Sequence, residues 1–398
     1  MRRLFQATLL LLILLSPVVA ESAQYTVLHS FSTVDNAINP FGTLVVDGPI
    51  LYGTTSSQGT FFKLNTDGTN FQRLKTFTPS NVTGDFPTGA LVQIGASIYG
   101  TALFGGSGGT GVAFKINTDA TGFQVIHPFN SAIASPASGL TSDGSSLFGT
   151  SGFNTSDKGS VYRMNPDGSG FTSLKDFPNG TGPLSVPRLN ESVLYGTTYA
   201  GGSNNKGIIY KLNTDGTDFT VLHDFAGGPN DGGNGWYGAM QLVGSTLYGT
   251  TLFGGASNNG TLFKIDTDGS NFEVLHSFAG GPNDGASPRA GLTLLGSTLY
   301  GMSTVGGSSN VGSIYSIALD GSNYQLIHSF NGANGSRPET GLVAQGNTLY
   351  GVTNTGGAKN GGVVFSLVVP EPSAWLLGAI GLAGFAMTAY RRRRPAAA

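Results

Sequence analysis

The stretch QYTVLHSF at residues 24–31 resembles the last strand of a repeat, yet no complete repeat precedes it. Two later stretches, FEVLHSF at 272–278 and YQLIHSF at 324–330, each end a longer pattern. Alternating apolar residues with β-branched and aromatic side chains predict a strand in each case. The position of this strand, before the first complete repeat, determines which fold we predict.

The repeat itself is marked by the phrase Leu-Tyr-Gly or a close variant. It occurs seven times, at intervals of 47 to 53 residues. Each unit reads as four short strands: an apolar strand, the Leu-Tyr-Gly strand, a strand such as GTLFKID (260–266), and a strand of the LHSF type. Between the third and fourth strands lie Asp-Gly turns such as DTDGSN (266–271), which indicate tight hairpins because such turns need positive φ.

Four antiparallel strands per unit of this length predict propeller blades. A seven-unit β-solenoid is the alternative, but solenoid coils are shorter and need no hairpin within each unit. The first LHSF-type strand has no unit before it, and the last unit, which ends at 368, lacks its fourth strand. The sequence therefore predicts an all-β, seven-bladed β-propeller of four-stranded blades over 24–369, closed by strand 25–31 completing the last blade. Unit four departs most, since 178–192 lacks the Gly-Leu of the first strand.

Both ends of the chain carry targeting features. Residues 1–23 have a basic start, an apolar run and small residues near Ala20 and Ala23, which predicts a secretory signal peptide cleaved after one of these alanines. The alternative is a retained anchor, although the apolar run is short for a membrane span. At the other end, Pro370, Glu371 and Pro372 precede an apolar run over 375–390.

A cluster of arginines, Arg391, Arg392, Arg393 and Arg394, follows that apolar run. We predict a separate C-terminal transmembrane helix over 375–390, about 24 Å long. The arginines orient its C-terminus toward the cytoplasm. This tail, 370–398, resembles the PEP-CTERM sorting signal of Gram-negative bacteria. The resemblance implies an exosortase-type sorting enzyme as partner, transient residence in the inner membrane and release to the cell surface or extracellular matrix. A permanent membrane anchor is the alternative.

The body also resembles a family. The order Leu-Tyr-Gly-Thr-Thr, Gly-Gly, Phe-Lys-hydrophobic-Asn, Asp-Gly and Leu-His-Ser-Phe over nearly all of 24–369 is similar to the Gloeo/Verruco (GloVer) tandem repeat. That resemblance implies an extracellular location. It brings no known activity and no catalytic residues.

Composition narrows the range of functions. The chain has no Cys, which excludes disulfides, thiol catalysis and Cys-based metal sites. Its 20 Lys and Arg face 22 Asp and Glu, and Arg2, Arg3 and the last four arginines lie in the ends, so the body is acidic and nucleic acid is not predicted as a partner. We find no GxSxG, HExxH or P-loop motif, and we predict no cofactor, no metal site and no catalytic residue.

All five histidines occupy one position of the fourth strand, and Lys75 and Lys175 take it in the other two copies. Seven equivalent positions around a ring cannot converge on one ligand, so a structural role at the outer rim is expected. The loop GGPNDG, at 227–232 and again at 280–285, is interpreted as an Asx-type turn. Weak calcium binding by its oxygens is the alternative.

Trp236 is the one Trp of the exported body and lies in the longest loop between units. Alternation of strand direction places the loops before the first strand and after the second strand on one face. Aromatic rings among amide side chains suit sugar binding, whereas the alternative is that Trp236 fills the core. The predicted ligand-binding residues are Trp236, Tyr237, Asn230, Asp231, Phe104, Tyr199 and Phe253.

We therefore predict an exported surface or matrix protein with a binding or scaffolding role, with polysaccharide as the expected ligand. The alternative is a secreted propeller enzyme, a glycosidase or lyase, acting on polysaccharide. Such an enzyme needs acids that converge in one pocket. The candidates outside the repeated turns are Asp85, Asp157, Glu191 and Glu339.

Overall fold

The computed structural model describes residues 23–370, except for 36, 58, 78–82, 132, 137, 153–157 and 237. Over this range the chain forms seven four-stranded antiparallel sheets and two short two-stranded ribbons. The one helical element among the described residues is a 3-10 turn at Thr33–Asp35. The seven-bladed all-β propeller predicted from the repeat is therefore confirmed.

The strands are numbered along the chain and grouped into blades of four. Blade 1 comprises β2 Ile38–Asp47, β3 Ile50–Ser57, β4 Thr60–Asn65 and β5 Gln72–Thr76, and blade 2 comprises β6 Val92–Ile94, β7 Ser97–Ala102, β8 Val112–Asn117 and β9 Gln124–Pro128. Blade 3 comprises β10 Leu140–Ser142, β11 Leu147–Ser151, β12 Lys158–Met164 and β13 Thr172–Asn179. Blade 4 comprises β14 Arg188–Asn190, β15 Val193–Thr197, β16 Ile208–Asn213 and β17 Thr220–Asp224. Blade 5 comprises β19 Gln241–Val243, β20 Thr246–Thr251, β22 Thr261–Asp266 and β23 Glu273–Ser277. Blade 6 comprises β25 Thr293–Leu295, β26 Thr298–Ser303, β28 Ser313–Ala318 and β29 Gln325–Ser329. Blade 7 comprises β30 Val343–Gln345, β31 Thr348–Thr353, β32 Val363–Val368 and β1 Gln24–Ser30. The ribbons are β18 Gly232–Gly233 with β21 Phe253–Gly254 and β24 Gly285–Ala286 with β27 Val305–Gly306.

Strand β1 closes the ring. It lies beside β32 as the outermost strand of blade 7, in the sheet order β1-β32-β31-β30. Just beyond it, the backbone amide of Phe31 donates to the carbonyl of Gly362 at 2.9 Å. The amide of Asn39 donates to the carbonyl of Gly361 at 2.8 Å. The first strand of the chain therefore supplies the fourth strand that the last repeat lacks.

The glycine of the Leu-Tyr-Gly phrase has a packing role. In the second strand of each blade it lies under the aromatic ring of the third strand. A methyl group placed on Gly249 would lie 2.5 Å from Phe263 Cζ, and one on Gly351 would lie 2.6 Å from Phe365 Cζ. Contacts this short are not tolerated in a close-packed interior. The repeated glycine is therefore required by the ring that packs against it.

The hydrophobic core consists of clusters that join neighbouring blades. In one of them, Leu262 and Phe278 of blade 5 pack with Leu299 and Tyr315 of blade 6. The first strands form the innermost layer, where consecutive blades touch directly, as in the parallel bridge between Ala90 and Gly139. The inner strand of blade 4, which the sequence left in doubt, is present as β14 and pairs with β15.

Loops from two parts of each blade meet on one face, which we call the loop face. Both ribbons pair the connection that enters a blade with the loop between its second and third strands. The bridge between Asp85 and Phe104 does the same in blade 2. This arrangement agrees with the alternation inferred from the sequence. The tight Asp-Gly turns lie at the other ends of the strands.

The predicted signal peptide (1–23) and transmembrane helix (375–390) fall almost wholly outside the described residues and remain predictions. Within the described part of the chain, no helix has the length and apolar character needed to cross a membrane.

Candidate functional site

The histidines of the fourth strands form contacts between blades. Each stacks on the aromatic residue that opens the fourth strand of the next blade, with ring centroids 3.7 to 4.0 Å apart. The two lysines at this position lie over the corresponding ring at 4.6 and 4.4 Å. Around the ring the pairs are His29–Phe71, Lys75–Phe123, His127–Phe171, Lys175–Phe219, His223–Phe272, His276–Tyr324 and His328–Tyr25. This repeated position thus forms a structural rim of seven pairs, of which five are stacked rings and two are cation–π contacts.

The aspartates of the GGPNDG loops are bound by the protein itself. Asp231 Oδ1 lies 3.0 Å from His223 Nε2, and its Oδ2 accepts from the Ala226 amide at 2.8 Å. Asp284 contacts His276 and accepts from the Tyr324 hydroxyl at 2.5 Å. Burial alone would raise the pKa of Asp284, but hydrogen bonds from His276, the Ala279 amide and Tyr324 outweigh it and lower the pKa. These carboxylates therefore hold the GGPNDG loops against the outer strands through hydrogen bonds.

The described residues contain no group of three or more His, Asp or Glu side chains arranged to hold a metal ion. The acids in the tight turns, such as Asp268, cap their own hairpins by accepting from the amide and hydroxyl of Ser270. These aspartates therefore stabilise the tight hairpin turns that the sequence predicts.

The repeat loses its symmetry at the inner end of the loop face. Six of the seven blades have a proline shortly before the inner strand. Each of these prolines lies against a glycine near the start of a third strand. These prolines are Pro40, Pro87, Pro136, Pro183, Pro288 and Pro338. In blade 5 the position is Trp236, whose indole meets the edge of Tyr199 at a centroid distance of 5.1 Å. Trp236 is therefore a substitution within the repeat as well as a loop residue.

The next position along the chain is occupied by a different residue type in each of the seven units, and it places two opposite charges together. Arg289 of blade 6 lies with its Cζ 5.0 Å from the Trp236 ring centroid. Its Nη1 is 3.6 Å from Glu339 Oε1 in blade 7. Arg337 Nη2 lies 3.1 Å from the same oxygen and donates to it. Glu339 is only 8% exposed, so this carboxylate is held in a largely desolvated position.

A cavity of about 230 Å³ occupies the loop-face end of the central channel. Its walls come from the residues that open the inner strands of several blades, and they include Arg289, Glu339, Thr88 and Thr340. Small residues form its narrow part, because neighbouring inner strands touch there: the amide of Gly341 donates to Thr43 Oγ1 at 3.2 Å. The charged pair Arg289 and Glu339 thus lies in the wall of a cavity large enough to hold a small ligand.

The predicted ligand-binding residues are spread over the loop face. Trp236 and Tyr199 are in contact, and Asn234 joins them by donating to the Tyr199 carbonyl at 2.7 Å. Phe253 lies in the ribbon next to this group. Asp231 and the exposed Asn230 belong to the GGPNDG loop, where Asp231 is directed toward the outer rim.

Two further predicted residues lie apart from that group. Phe104 belongs to blade 2, where it is exposed and meets the edge of Phe86 at 6.1 Å. Tyr237 lies outside the described residues. Sequence reasoning omitted Arg289 and Arg337 from the site. The variability of the position after the repeated proline is the sequence feature that points to them.

Of the four candidate acids named from the sequence, Glu339 lines the cavity. Asp85 lies in the bridge with Phe104, and Glu191 lies in the turn between β14 and β15. Asp157 falls outside the described residues. Among the described wall residues, then, a single acid faces the cavity, already paired with two arginines.

Comparison with known families gives two matches. The Gloeobacter/Verrucomicrobia repeat matches residues 18–189 and 183–375, and the PEP-CTERM protein-sorting motif matches residues 368–394. Comparison with curated proteins finds no match.

Solved structures are similar in fold at low sequence identity. An oligogalacturonate lyase in complex with manganese is 12% identical, with 89% of this chain and 94% of that chain covered and a TM-score of 0.60. An oligogalacturonate lyase from Vibrio parahaemolyticus is 10% identical, with 88% and 98% covered and a TM-score of 0.56. A GH74 enzyme from Niastella koreensis is 15% identical, with 80% and 52% covered and a TM-score of 0.55. At these identities the likeness extends to the propeller fold alone.

Proposed function

The chain belongs to the Gloeobacter/Verrucomicrobia repeat family, and from this premise we propose that it is an exported surface or matrix protein that binds polysaccharide through its loop face. The PEP-CTERM motif at 368–394 implies export, anchoring through the C-terminus and sorting by an exosortase-type enzyme. Binding to the ligand occurs after this sorting, on the outer side of the membrane. In this proposal the propeller binds the ligand, and the C-terminal tail directs the sorting of the protein.

One observation carries the proposed binding role: the repeat departs from its symmetry where the channel opens on the loop face. Trp236 replaces a proline, and Arg289 and Glu339 fill a position that is apolar or neutral in the other described blades. A scaffold of seven similar blades does not need such departures for stability. Concave sites with a few polar groups and aromatic walls are typical of small-molecule and saccharide binding.

Binding is favoured over cleavage of the polysaccharide. Glycoside cleavage needs two carboxyl groups that flank the scissile bond, about 5 to 9.5 Å apart. The described cavity wall contributes Glu339 alone, with Oε1 held by Arg337. This side chain is suited to fixing the arginines rather than to protonating a leaving group. We accordingly propose a protein without catalytic activity.

A polysaccharide microarray tests the binding role directly. The mature protein purified from its host is compared with Trp236→Ala and with Phe104→Ala, which removes an exposed ring from the same face in blade 2. We expect Trp236→Ala to lose binding and Phe104→Ala to retain it, with thermal unfolding showing that both variants fold. Absence of binding to any polysaccharide by the wild type would overturn the proposal. Loss of binding only in Phe104→Ala would move the site to blade 2.

Mass spectrometry of the protein from membranes and from the medium tests the sorting step. Processing near Pro370, Glu371 and Pro372 is expected to give a shortened C-terminus on the exported form. A full-length chain ending at Ala398 in the membrane, with no shorter form anywhere, would support permanent anchoring instead.

A further inference from the structure

The charges at the channel cavity do not balance. Glu339 supplies one carboxylate, and both Arg289 and Arg337 are directed at its Oε1. The closer partner is Arg337 at 3.1 Å, whereas Arg289 Nη1 remains at 3.6 Å. Arg289 belongs to the cavity wall, whereas Arg337 is a more exposed residue beside it, so two guanidinium groups share one carboxylate at this place. Because opposite charges attract strongly where water is largely excluded, such a site favours an anion.

One edge of the Arg289 guanidinium has a hydrogen-bond donor that is unsatisfied among the described residues. Its Nη1 lies 3.6 Å from Glu339 Oε1, and its Cζ lies 5.0 Å from the centroid of the Trp236 ring. Its Nε is buried and has no hydrogen-bond partner in the part of the chain that the structure describes. The Nε edge of a guanidinium matches the two oxygens of a carboxylate. Trp236 thus serves to hold the arginine in place, and its indole face is already occupied.

Two hydroxyls of the same wall are also unpaired. Thr88 Oγ1 and Thr340 Oγ1 are buried, line the cavity, and find no partner among the described residues. A buried hydroxyl without a partner is unfavourable in a folded protein. Because both threonines line the cavity, the hydroxyl groups of a sugar bound there are suitable partners for them.

We propose that this cavity binds an acidic sugar residue, with its carboxylate on the Nε edge of Arg289 and its hydroxyls on Thr88 and Thr340. The proposal rests on the polysaccharide-binding function proposed above and names the class of its ligand. A volume of about 230 Å³ is below the range of drug-sized pockets, roughly 300–1,000 Å³. It therefore admits one sugar residue, either the end of a chain or a free sugar acid, rather than an extended oligosaccharide.

Calorimetric titration of the mature protein tests this inference with three probes: mannuronate tetrasaccharide, the monosaccharide D-mannuronate and neutral cellotetraose. We expect the two acidic probes to bind and cellotetraose to bind at least ten-fold more weakly. Tighter binding of the tetrasaccharide than of the monosaccharide indicates a chain end as the natural ligand. The reverse order indicates a free sugar acid. Equal binding of cellotetraose and the acidic probes overturns the acidic-sugar inference and leaves polysaccharide binding intact.

Variants connect the binding to the named side chains. Arg289→Met is expected to weaken the acidic probes by roughly ten-fold or more, since it removes a charged hydrogen-bond donor. Arg73→Met removes the same charge from an exposed position of the outer strand β5 and is the matched control, with less than a two-fold effect expected. Thr88→Val keeps the shape of its side chain and is expected to weaken binding several-fold, which provides a second test if Arg289→Met does not fold.

Failures of the two proposals are distinguishable. Unchanged affinity of the acidic probes in both Arg289→Met and Thr88→Val overturns the site. Absence of binding to all three probes, together with binding of neutral polysaccharides on the microarray, overturns the acidic-sugar inference alone. Binding of D-mannuronate without any polysaccharide binding supports the cavity site and overturns the proposed function.

Discussion

His328 stacks on Tyr25, with 3.9 Å between their ring centroids and 7° between their planes. One residue belongs to the outer strand of blade 6 and the other to the first strand of the described chain. The Tyr25 hydroxyl also donates to the carbonyl of Asn334 at 2.6 Å. This pair completes the rim of seven contacts between blades, so strand β1 is bound both by β32 within its own sheet and by blade 6.

Loss of this closure should act on the far end of the chain. We expect deletion of 25–31 to expose β32 as an open edge and to raise hydrogen exchange most strongly over 339–369. Tyr25→Ala should destabilise the propeller by about 3 kcal/mol, as other buried aromatic truncations do. Tyr25→Phe keeps the stack and should lose only about 1 kcal/mol with the hydroxyl bond. Unchanged thermal unfolding and unchanged exchange in the deletion variant would show that strand 25–31 does not close the ring.

His328 also predicts a dependence of stability on acid. Burial lowers its pKa from 6.5 to about 4, and Asn334 Nδ2 lies 3.1 Å from its Nε2, as a donor to neutral imidazole would. Between pH 6.5 and about 4 the unfolded chain binds a proton that the folded chain does not. The stabilisation is thus complete above pH 6.5 and falls as the pH drops toward 4.

Urea unfolding at several pH values measures this effect. His328→Phe retains a ring for stacking on Tyr25 but does not titrate. We expect the free energy of unfolding of the wild type to fall more steeply than that of His328→Phe between pH 6.5 and 4. Parallel curves for the two proteins would mean that His328 is protonated in the folded state over this range.

Three buried tyrosines suggest a stabilising change. The third-strand ring is Phe in four blades, but Tyr162, Tyr210 and Tyr315 replace it in the others, and their hydroxyls have no partner in the described structure. Tyr315→Phe should therefore raise the free energy of unfolding by about 1 kcal/mol. The reverse change, Phe263→Tyr, should lower it by about 1–3 kcal/mol. Chemical unfolding of both variants checks the pair, and a marked loss of stability in Tyr315→Phe would indicate a hydrogen bond at that hydroxyl.

The sequence was sufficient for the architecture because the repeat encodes it locally. Asp-Gly hairpins, the Leu-Tyr-Gly glycine and the order of strands predict blades, and the incomplete last unit predicts closure by 25–31. Even the inner strand of blade 4 forms without the usual Gly-Leu, since its three residues pair through backbone groups. The hairpins and the repeated glycine depend on neighbours in the chain, and the closure follows from counting the strands of the repeat, so both can be predicted from the sequence.

The candidate site was less accessible to sequence reasoning. Arg289 and Glu339 come from different blades, and no spacing in the chain reveals that they are 3.6 Å apart. Trp236 is unusual in the sequence, but its contact with Arg289 depends on the way that neighbouring blades pack. Phe104, from the same predicted group, belongs to blade 2. Departures from the repeat could be recognised in sequence, whereas their convergence required the geometry of the inner layer.

Glu339→Gln separates an electrostatic role from a catalytic one. The amide keeps the shape of the side chain but removes the negative charge that faces Arg289 and Arg337. We expect an acidic sugar to bind the variant at least as tightly as the wild type, because the cavity becomes more positive. Calorimetric titration with mannuronate tetrasaccharide measures this, and Asp85→Asn, on the loop face in blade 2, is the matched control. Sugar cleavage by the wild type that disappears in Glu339→Gln would contradict a binding role.

The most direct test of the account is hydrogen exchange of the mature protein with and without bound mannuronate tetrasaccharide, since it locates the site without any substitution. We predict protection in the segments that bring Trp236, Arg289 and Glu339 to the channel, 232–240, 285–293 and 336–342, with the outer strands and the Asp-Gly turns unchanged. Protection confined to the outer strands or to the opposite face would contradict ligand binding at the channel cavity.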